Sequence, residues 1–267
     1  MIAPPAKLHN LTGRVPARCI WLDLPSPMAA EIAGHAGAEL CVIDTEHGHI
    51  GPETLTGMLR ALDLSKTPAL VRVGDAGAGR IKHALDAGAA GILVPYIETV
   101  EEARAAVTVF CAPPLGKRGM APGVSRAGGF GADKDYARTW NDRGILALQI
   151  ETGKGLAAAA GIAALPGVDM LFFGPGDYAA DQNLDPVGES AVILTACRKM
   201  IAAAHDAGKL AGAFPWPGAD PASLIGEGAD LVAAGSDVRG LAQSLSAALA
   251  ACPVPGDGVP RSPSRPV

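Results

Sequence analysis

The chain has 267 residues, of which 49% are hydrophobic and only 4% aromatic, with 34 glycines, 22 prolines and a formal net charge of −5. This length admits one domain or two, since a single α/β barrel runs to roughly 250 residues, and a core so poor in aromatics must be packed from small aliphatic side chains. An acidic balance without a Lys/Arg cluster gives nucleic-acid binding no electrostatic support. No apolar run approaches the roughly 18 residues of a membrane span, and MIAPPAKLHN lacks the basic-then-apolar order of a signal peptide. The five cysteines (Cys19, Cys41, Cys111, Cys197, Cys252) are odd in number, scattered and without a CxxC pair, which predicts reduced thiols and a cytoplasmic protein.

Short apolar runs alternate with Ala-rich segments of helical period. Residues 18–22 (RCIWL) read as a first strand and 27–37 as its helix. Strand 39–44 (ELCVID) precedes helix 52–62, strand 69–73 (ALVRV) helix 79–87, and strand 90–94 (AGILV) helix 100–110. Strand 145–150 (ILALQI) precedes helix 154–164, and strand 168–173 (VDMLFF) helix 190–207. Strand 210–214 (LAGAF) precedes helix 221–227, and strand 230–234 (DLVAA) helix 241–251. The strands are apolar on both faces, as parallel strands covered on both sides are. Eight such units most simply close into a (β/α)₈ TIM barrel. The alternative, an open doubly wound sheet, would want a Gly-rich loop after the first strand, where DLPSP stands instead. Three segments fall outside the repeat. Residues 1–12 are expected to be a flexible N-terminus, and 253–267, rich in Pro, Gly and Ser, a disordered tail; the barrel then occupies 13–252. The connection 111–141 is long enough to be functional or a lid.

A barrel places its chemistry at the carboxyl ends of its strands. There stand Asp44, Glu46 and His47 after the second strand, Arg72 in the third, Gln149 and Glu151 at the fifth, and Gly174-Pro-Gly-Asp177 after the sixth. Glu151 and Asp177 leave neighbouring strands, which lie about 5 Å apart. Either they share a hard divalent cation or each caps the helix that follows. His47 is either a solvated loop histidine or a base oriented by Asp44 or Glu46. Arg72, a charge inside an apolar strand, must be paired or face the mouth; an ion pair with Asp44 or Glu46 and recognition of a carboxylate can coexist. The GPGD turn offers backbone N–H groups to a small acid. Lys117, Arg118 and Arg126, in the long connection, either meet an anionic substrate or form a solvated rim.

The ordered set WLDLPSP, VIDTEHG, LVRV, GAAGILVPYIETVEEARAAV, PPLGKRGM, SRAGGFG, LALQIETGKGL and GVDMLFFGPGDYAAD resembles the HpcH/HpaI family of metal-dependent class II pyruvate aldolases, from about Trp21 to Leu249. The resemblance implies that Glu151 and Asp177 ligate a divalent metal ion (Mg²⁺, Mn²⁺ or Co²⁺), that His47 is the catalytic base with Asp44 as its acidic partner, and that Arg72 binds the 2-oxo acid and steadies its enolate oxygen. It further implies a polar contact from Gln149, a carboxylate-holding turn at Gly176 and Asp177, a loop residue at the aldehyde end in Arg126, and an aromatic at the mouth in Trp21. The substrates implied are pyruvate or hydroxypyruvate and an aldehyde, joined as a 4-hydroxy-2-oxo acid. The assembly implied is a homo-oligomer, hexamer or trimer, with the last helix exchanged between barrels. Gly176 and Tyr178 replace the family's commoner Ala and Leu beside the metal aspartate, so Tyr178 and Trp21 are expected to shape the pocket. A related lyase on the same barrel (an oxaloacetate decarboxylase or a citrate-lyase-like enzyme) and a non-catalytic small-acid-binding barrel are the alternatives. No lysine lies in any expected strand, which argues against Schiff-base chemistry.

Overall fold

In the computed structural model, which describes residues 2–252, eight parallel strands close one barrel in sequence order, the last pairing with the first. They are β1 (Ala17–Leu22), β2 (Leu40–Asp44), β3 (Ala69–Arg72), β4 (Gly91–Val94), β5 (Ile145–Ile150), β6 (Met170–Phe173), β7 (Leu210–Ala213) and β8 (Leu231–Ser236). Every expected strand is present, displaced by at most two residues at either end. The helices in chain order are α1 (Pro4–Thr12), α2 (Pro27–His35), α3 (Pro52–Ser65), α4 (Ala78–Asp86), α5 (Val100–Phe110), α6 (Tyr136–Arg143), α7 (Gly153–Ala163), α8 (Pro175–Asp181), α9 (Ser190–Asp206), α10 (Pro221–Gly226) and α11 (Asp237–Ala250). No helix among the described residues is long and apolar enough to cross a membrane. The expected tail, 253–267, lies outside the described residues.

Two apolar layers explain why the strands lack alternation. On β6, Met170 and Phe172 fill the barrel interior while Leu171 and Phe173 pack under the helices. The same period of two runs through the other strands. Cys19 and Trp21, Leu40 and Val42, Leu70, Ile145 and Ala147 all belong to the interior cluster. Continued to the strand ends, this period turns Asp44, Arg72 and Gln149 inward, and Asp44 is the register partner of Arg72.

The N-terminus is not loose. Pro4 opens α1, Gly13 closes it with φ 78°, and Leu8 is fully buried in the interior cluster at the floor of the barrel. Lys7, buried, donates to Asp169 Oδ1 at 2.8 Å and to the Gly144 carbonyl at 3.0 Å. The prolines that suggest a loose end in fact set the first turn of a helix, and an apolar floor needs a plug. The connection 111–141 is likewise packed rather than a free lid. It carries a 3₁₀ turn at Arg126–Gly131 and the helix α6. Arg118, expected at an anion or a solvated rim, is buried with its guanidinium 4.2 Å from the Trp140 ring centroid. Asn141 bonds both backbone groups of Ala112.

Removing one partner of a buried pair strands the other charge, at about 3–5 kcal/mol. Lys7→Met is therefore expected to lower unfolding stability by about 3 kcal/mol in a urea titration; a loss within about 0.5 kcal/mol would show that the α1 anchor holds nothing.

Candidate active site

A cavity of about 650 Å³ opens at the carboxyl ends of the strands. Its organising group is the Arg72 guanidinium, 8% exposed. Asp44, fully buried at the end of the neighbouring strand, accepts Arg72 Nε at 3.1 Å and an Arg72 terminal nitrogen in a second, closer bond. Glu46 Oε2 faces the third guanidinium nitrogen at 3.0 Å, and the guanidinium lies over the Trp21 ring, 5.1 Å from its centroid. Trp21 Nε1 also donates to Asp44 Oδ2 at 3.2 Å. Burial works against the Asp44 carboxylate, but the Arg72 contacts outweigh it and hold its carboxyl below the usual range. Burial likewise works against the Arg72 cation, and Asp44 and Glu46 more than offset it, so Arg72 stays protonated.

The backbone N–H groups of Glu46 (2.9 Å) and His47 (3.2 Å) also point at Asp44 Oδ1. The two oxygens of Asp44 therefore accept five hydrogen bonds, none from an imidazole. This corrects the expected pairing of Asp44 with the His47 ring: a carboxylate buried between an arginine, an indole and its own turn has no lone pair left. Asp44 instead fixes Arg72 and the backbone that carries His47. The His47 side chain is 67% exposed at the cavity wall, its Nε2 3.9 Å from Glu46 Oε2.

The other wall is acidic. Glu151, 1% exposed, accepts the Tyr96 N–H at 2.8 Å through Oε1 and the Gln149 side-chain amide through Oε2. Burial pushes its carboxyl up to about 7; the Tyr96 N–H opposes this, and the charges of Asp177 and Glu46 add to it. Asp177 sits in the first turn of α8, as does Gly176, whose N–H, like that of Asp177, has no carbonyl within its own helix to bond. Gly174 is required by close approach: a Cβ there would stand 2.3 Å from Glu151 Oε2 and 2.7 Å from Gln149 Nε2.

Among the described residues no three His, Cys, Asp or Glu side chains are grouped to hold a metal ion. Among the described residues Glu151 and Asp177 are thus not joined by a third such side chain. Two features fit a hard cation completed by water and ligand oxygens. Glu151 is buried beside two other acids with no basic side chain bonded to it, and Gln149 Oε1 is buried without a hydrogen-bond partner.

Of the expected site residues, Trp21, Asp44, His47, Arg72, Gln149, Gly176 and Asp177 line this one cavity, and Glu151 lies directly against Gln149 and Gly174. Arg126 is not among them. It pairs with Asp63 and donates to the Ala87 carbonyl at 2.8 Å, where α4 ends and leaves carbonyls unpaired. Tyr178 is buried against Phe173, ring centroids 5.3 Å apart, and does not line the cavity; Trp21, Phe172, Phe214 and Trp216 are the aromatics that do. Two site residues escape a reading by strand ends. Tyr96, in VPYIET just past β4, holds φ 52°, a left-handed conformation unusual for a non-glycine. Its hydroxyl is pushed up to about 12 by burial and by its bond to Asp177. Asp23, after β1, is pushed up to about 6 by burial and by the charges of Asp44 and Asp237. The polar residues after β1 and β4 were the available signal for both.

The family model HpcH/HpaI aldolase/citrate lyase matches residues 18–244. A hydroxypyruvate/pyruvate aldolase of Agrobacterium fabrum is 39% identical over 232 residues, 85% of this chain and 86% of that protein. One of Paraburkholderia phytofirmans is 37% identical over 86% of this chain and 90% of its own. The crystal structure of an HpcH/HpaI aldolase/citrate lyase family protein from Burkholderia cenocepacia superposes with a TM-score of 0.83 at 34% identity, covering 92% of this chain and 98% of that one.

Gly174→Ala is expected to leave the protein folded but to displace the Glu151 and Gln149 side chains. Activity toward a 4-hydroxy-2-oxo acid should fall by about tenfold or more, on the scale of a misplaced site group; unchanged kinetics would show that the Glu151–Gln149 contact is not part of the site.

Proposed function

Because the chain belongs to the HpcH/HpaI aldolase/citrate lyase family, we propose that it makes and cleaves 4-hydroxy-2-oxo acids from pyruvate or hydroxypyruvate and an aldehyde. It is a carbon–carbon lyase of the class II pyruvate aldolase type. The observation that carries the reading is the buried Arg72 guanidinium, held by Asp44 and Glu46 at the mouth of a barrel whose opposite wall is Gln149, Glu151 and Asp177. Two relatives, both named hydroxypyruvate/pyruvate aldolases, favour it over the decarboxylase and citrate-lyase alternatives.

The geometry supports the following roles. Glu151 and Asp177 would hold a divalent cation, Mg²⁺, Mn²⁺ or Co²⁺, which supplies Lewis-acid stabilisation of negative charge on the oxygens of the 2-oxo acid. The free N–H groups of Gly176 and Asp177 receive the substrate carboxylate, and Gln149 orients Glu151. Arg72, fixed in place before substrate arrives, faces the keto oxygen on which charge develops. His47, exposed at the wall, takes the proton from C3. The resulting enolate carbon bonds to the aldehyde carbon, whose oxygen takes up a proton; cleavage is the same sequence reversed. Trp21 seals the floor beneath Arg72 and keeps water from the ion pair.

Two further properties belong to this reading. All five cysteines are free thiols and four are buried, which supports a reducing compartment, the cytoplasm. Helix α11 has no buried residue, and Leu241, Leu245 and Leu249 are each more than half exposed along one face. An apolar stripe at this spacing supports a homo-oligomer, hexamer or trimer, in which α11 docks on a second copy. Leu245→Asp should then lower the mass measured by light scattering to that of a smaller species; an unchanged mass removes α11 from the interface.

The function is tested by exchange of the pyruvate methyl protons in D₂O, followed by NMR. Exchange should stop in EDTA and return with Mg²⁺, and His47→Ala should lose it by about a hundredfold or more. Full exchange by metal-free enzyme would refute the cation, and full exchange by His47→Ala would remove this histidine as the base.

A further inference from the structure

Among the described residues four non-glycines hold a positive φ: Tyr96 (52°), Phe130 (54°), Asn183 (54°) and Lys66 (58°). Lys66 closes α3, Asn183 follows the cap of α8, and Phe130 lies in the 3₁₀ turn. Tyr96 ends no helix. It stands two residues past β4. An L residue in the left-handed region is strained by its own Cβ and persists where its surroundings hold it. Here the acidic wall holds it. The Tyr96 N–H donates to Glu151 Oε1 at 2.8 Å, and its hydroxyl donates to Asp177. The N–H of Ile97, the next residue, donates to the Gln149 carbonyl at 3.2 Å and docks the segment on β5. Glu151 follows β5 and Asp177 sits in α8, and Tyr96 reaches both from a third element. Among the described residues the Asp177 carboxyl has no other hydrogen-bond or ion-pair partner. The Tyr96 ring is half exposed and does not line the cavity, so it meets the two acids from outside, away from the substrate.

We propose that Tyr96 is a positioning residue of the cation site: its N–H and its hydroxyl together hold Glu151 and Asp177, which come from separate elements, where one divalent cation can join them. The inference rests on the aldolase reading above, in which these two carboxylates are the ligands. A carboxylate held by a donor on one oxygen presents the other to the ion and has less freedom to lose when the ion binds. Tyr96 acts through the two acids; it does not touch the substrate and takes no part in proton transfer.

The test is Tyr96→Phe, which deletes the hydroxyl and keeps the backbone N–H, the ring and the turn. Mn²⁺ is titrated into the full-length chain freed of metal, wild type and variant, and the unbound ion is read by electron paramagnetic resonance. The Kd for Mn²⁺ should rise by about tenfold or more in the variant, the scale of a lost partner behind a metal ligand. Pyruvate methyl exchange should fall at low Mg²⁺ and return to within about threefold of wild type at saturating Mg²⁺, because the loaded variant keeps every group that meets the substrate. That recovery also shows the variant to be folded. Equal Mn²⁺ affinity in the two proteins overturns the inference while the cation reading stands. Weakened Mn²⁺ binding with exchange that saturating Mg²⁺ does not recover also overturns it, since Tyr96 would then act on more than the ion. A wild type that binds no Mn²⁺ overturns the cation site and the inference with it. A wild type that binds Mn²⁺ without exchanging methyl protons overturns the aldolase reading, and the two Kd values still decide the role of Tyr96.

Discussion

The site depends on one buried ion pair, Asp44 with Arg72. A guanidinium on the inner face of a barrel strand cannot remain unpaired. The strand register answers this by setting Asp44 beside it as its β-ladder partner. Buried pairs of this kind add little to stability when compared with well-packed apolar residues. Their worth here is positional. Five donors converge on the two oxygens of Asp44, so the arginine, the Trp21 ring and the turn bearing Glu46 and His47 are fixed by one carboxylate. The rest of the mouth is arranged around a cation that two carboxylates hold.

The charge across the cavity is asymmetric. One wall has an arginine flanked by two acids. The other has Glu151, buried, beside Asp177, with its carboxyl pushed up to about 7, first by that burial and further by the charges of Asp177 and Glu46. An acidic wall without its own counter-charge suits a hard cation, and a 2-oxo acid lying between that wall and Arg72 would meet positive charge from both sides. In the proposed reaction the negative charge developing on the keto oxygen would face Arg72, a group already in position. Gly174 permits the tight contact behind this wall, and the left-handed turn at Tyr96 supplies one of its hydrogen bonds.

Much of this was legible in the sequence, for a physical reason. Parallel strands buried on both faces make apolar runs that stand out against Ala-rich helices, so the eight strands could be placed to within two residues. Polar residues at their ends could be recognised because barrel chemistry collects there, and five of them, Asp44, His47, Arg72, Gln149 and Asp177, line one cavity. What escaped depends on which neighbour a side chain finds. Asp44 looked like a partner for both His47 and Arg72; only the fold shows that Arg72, Trp21 and the N–H groups of its own turn leave nothing for the imidazole. Arg126 looked free because the helix end that takes it, Ala87, is far away in sequence. The N-terminal helix was missed because its burial rests on two residues, Lys7 and Leu8, too few for a periodic signal.

The most direct test of the Asp44–Arg72 account is the rate of pyruvate methyl proton exchange, with Mg²⁺ present, in Arg72→Lys. An ammonium keeps the charge but cannot bond Asp44 twice, meet Glu46 and face a substrate oxygen at once. The account predicts a loss of about a hundredfold or more, the scale of a removed donor to a developing oxyanion, in a protein that remains folded. Exchange at close to the wild-type rate would contradict it and leave Arg72 a structural charge.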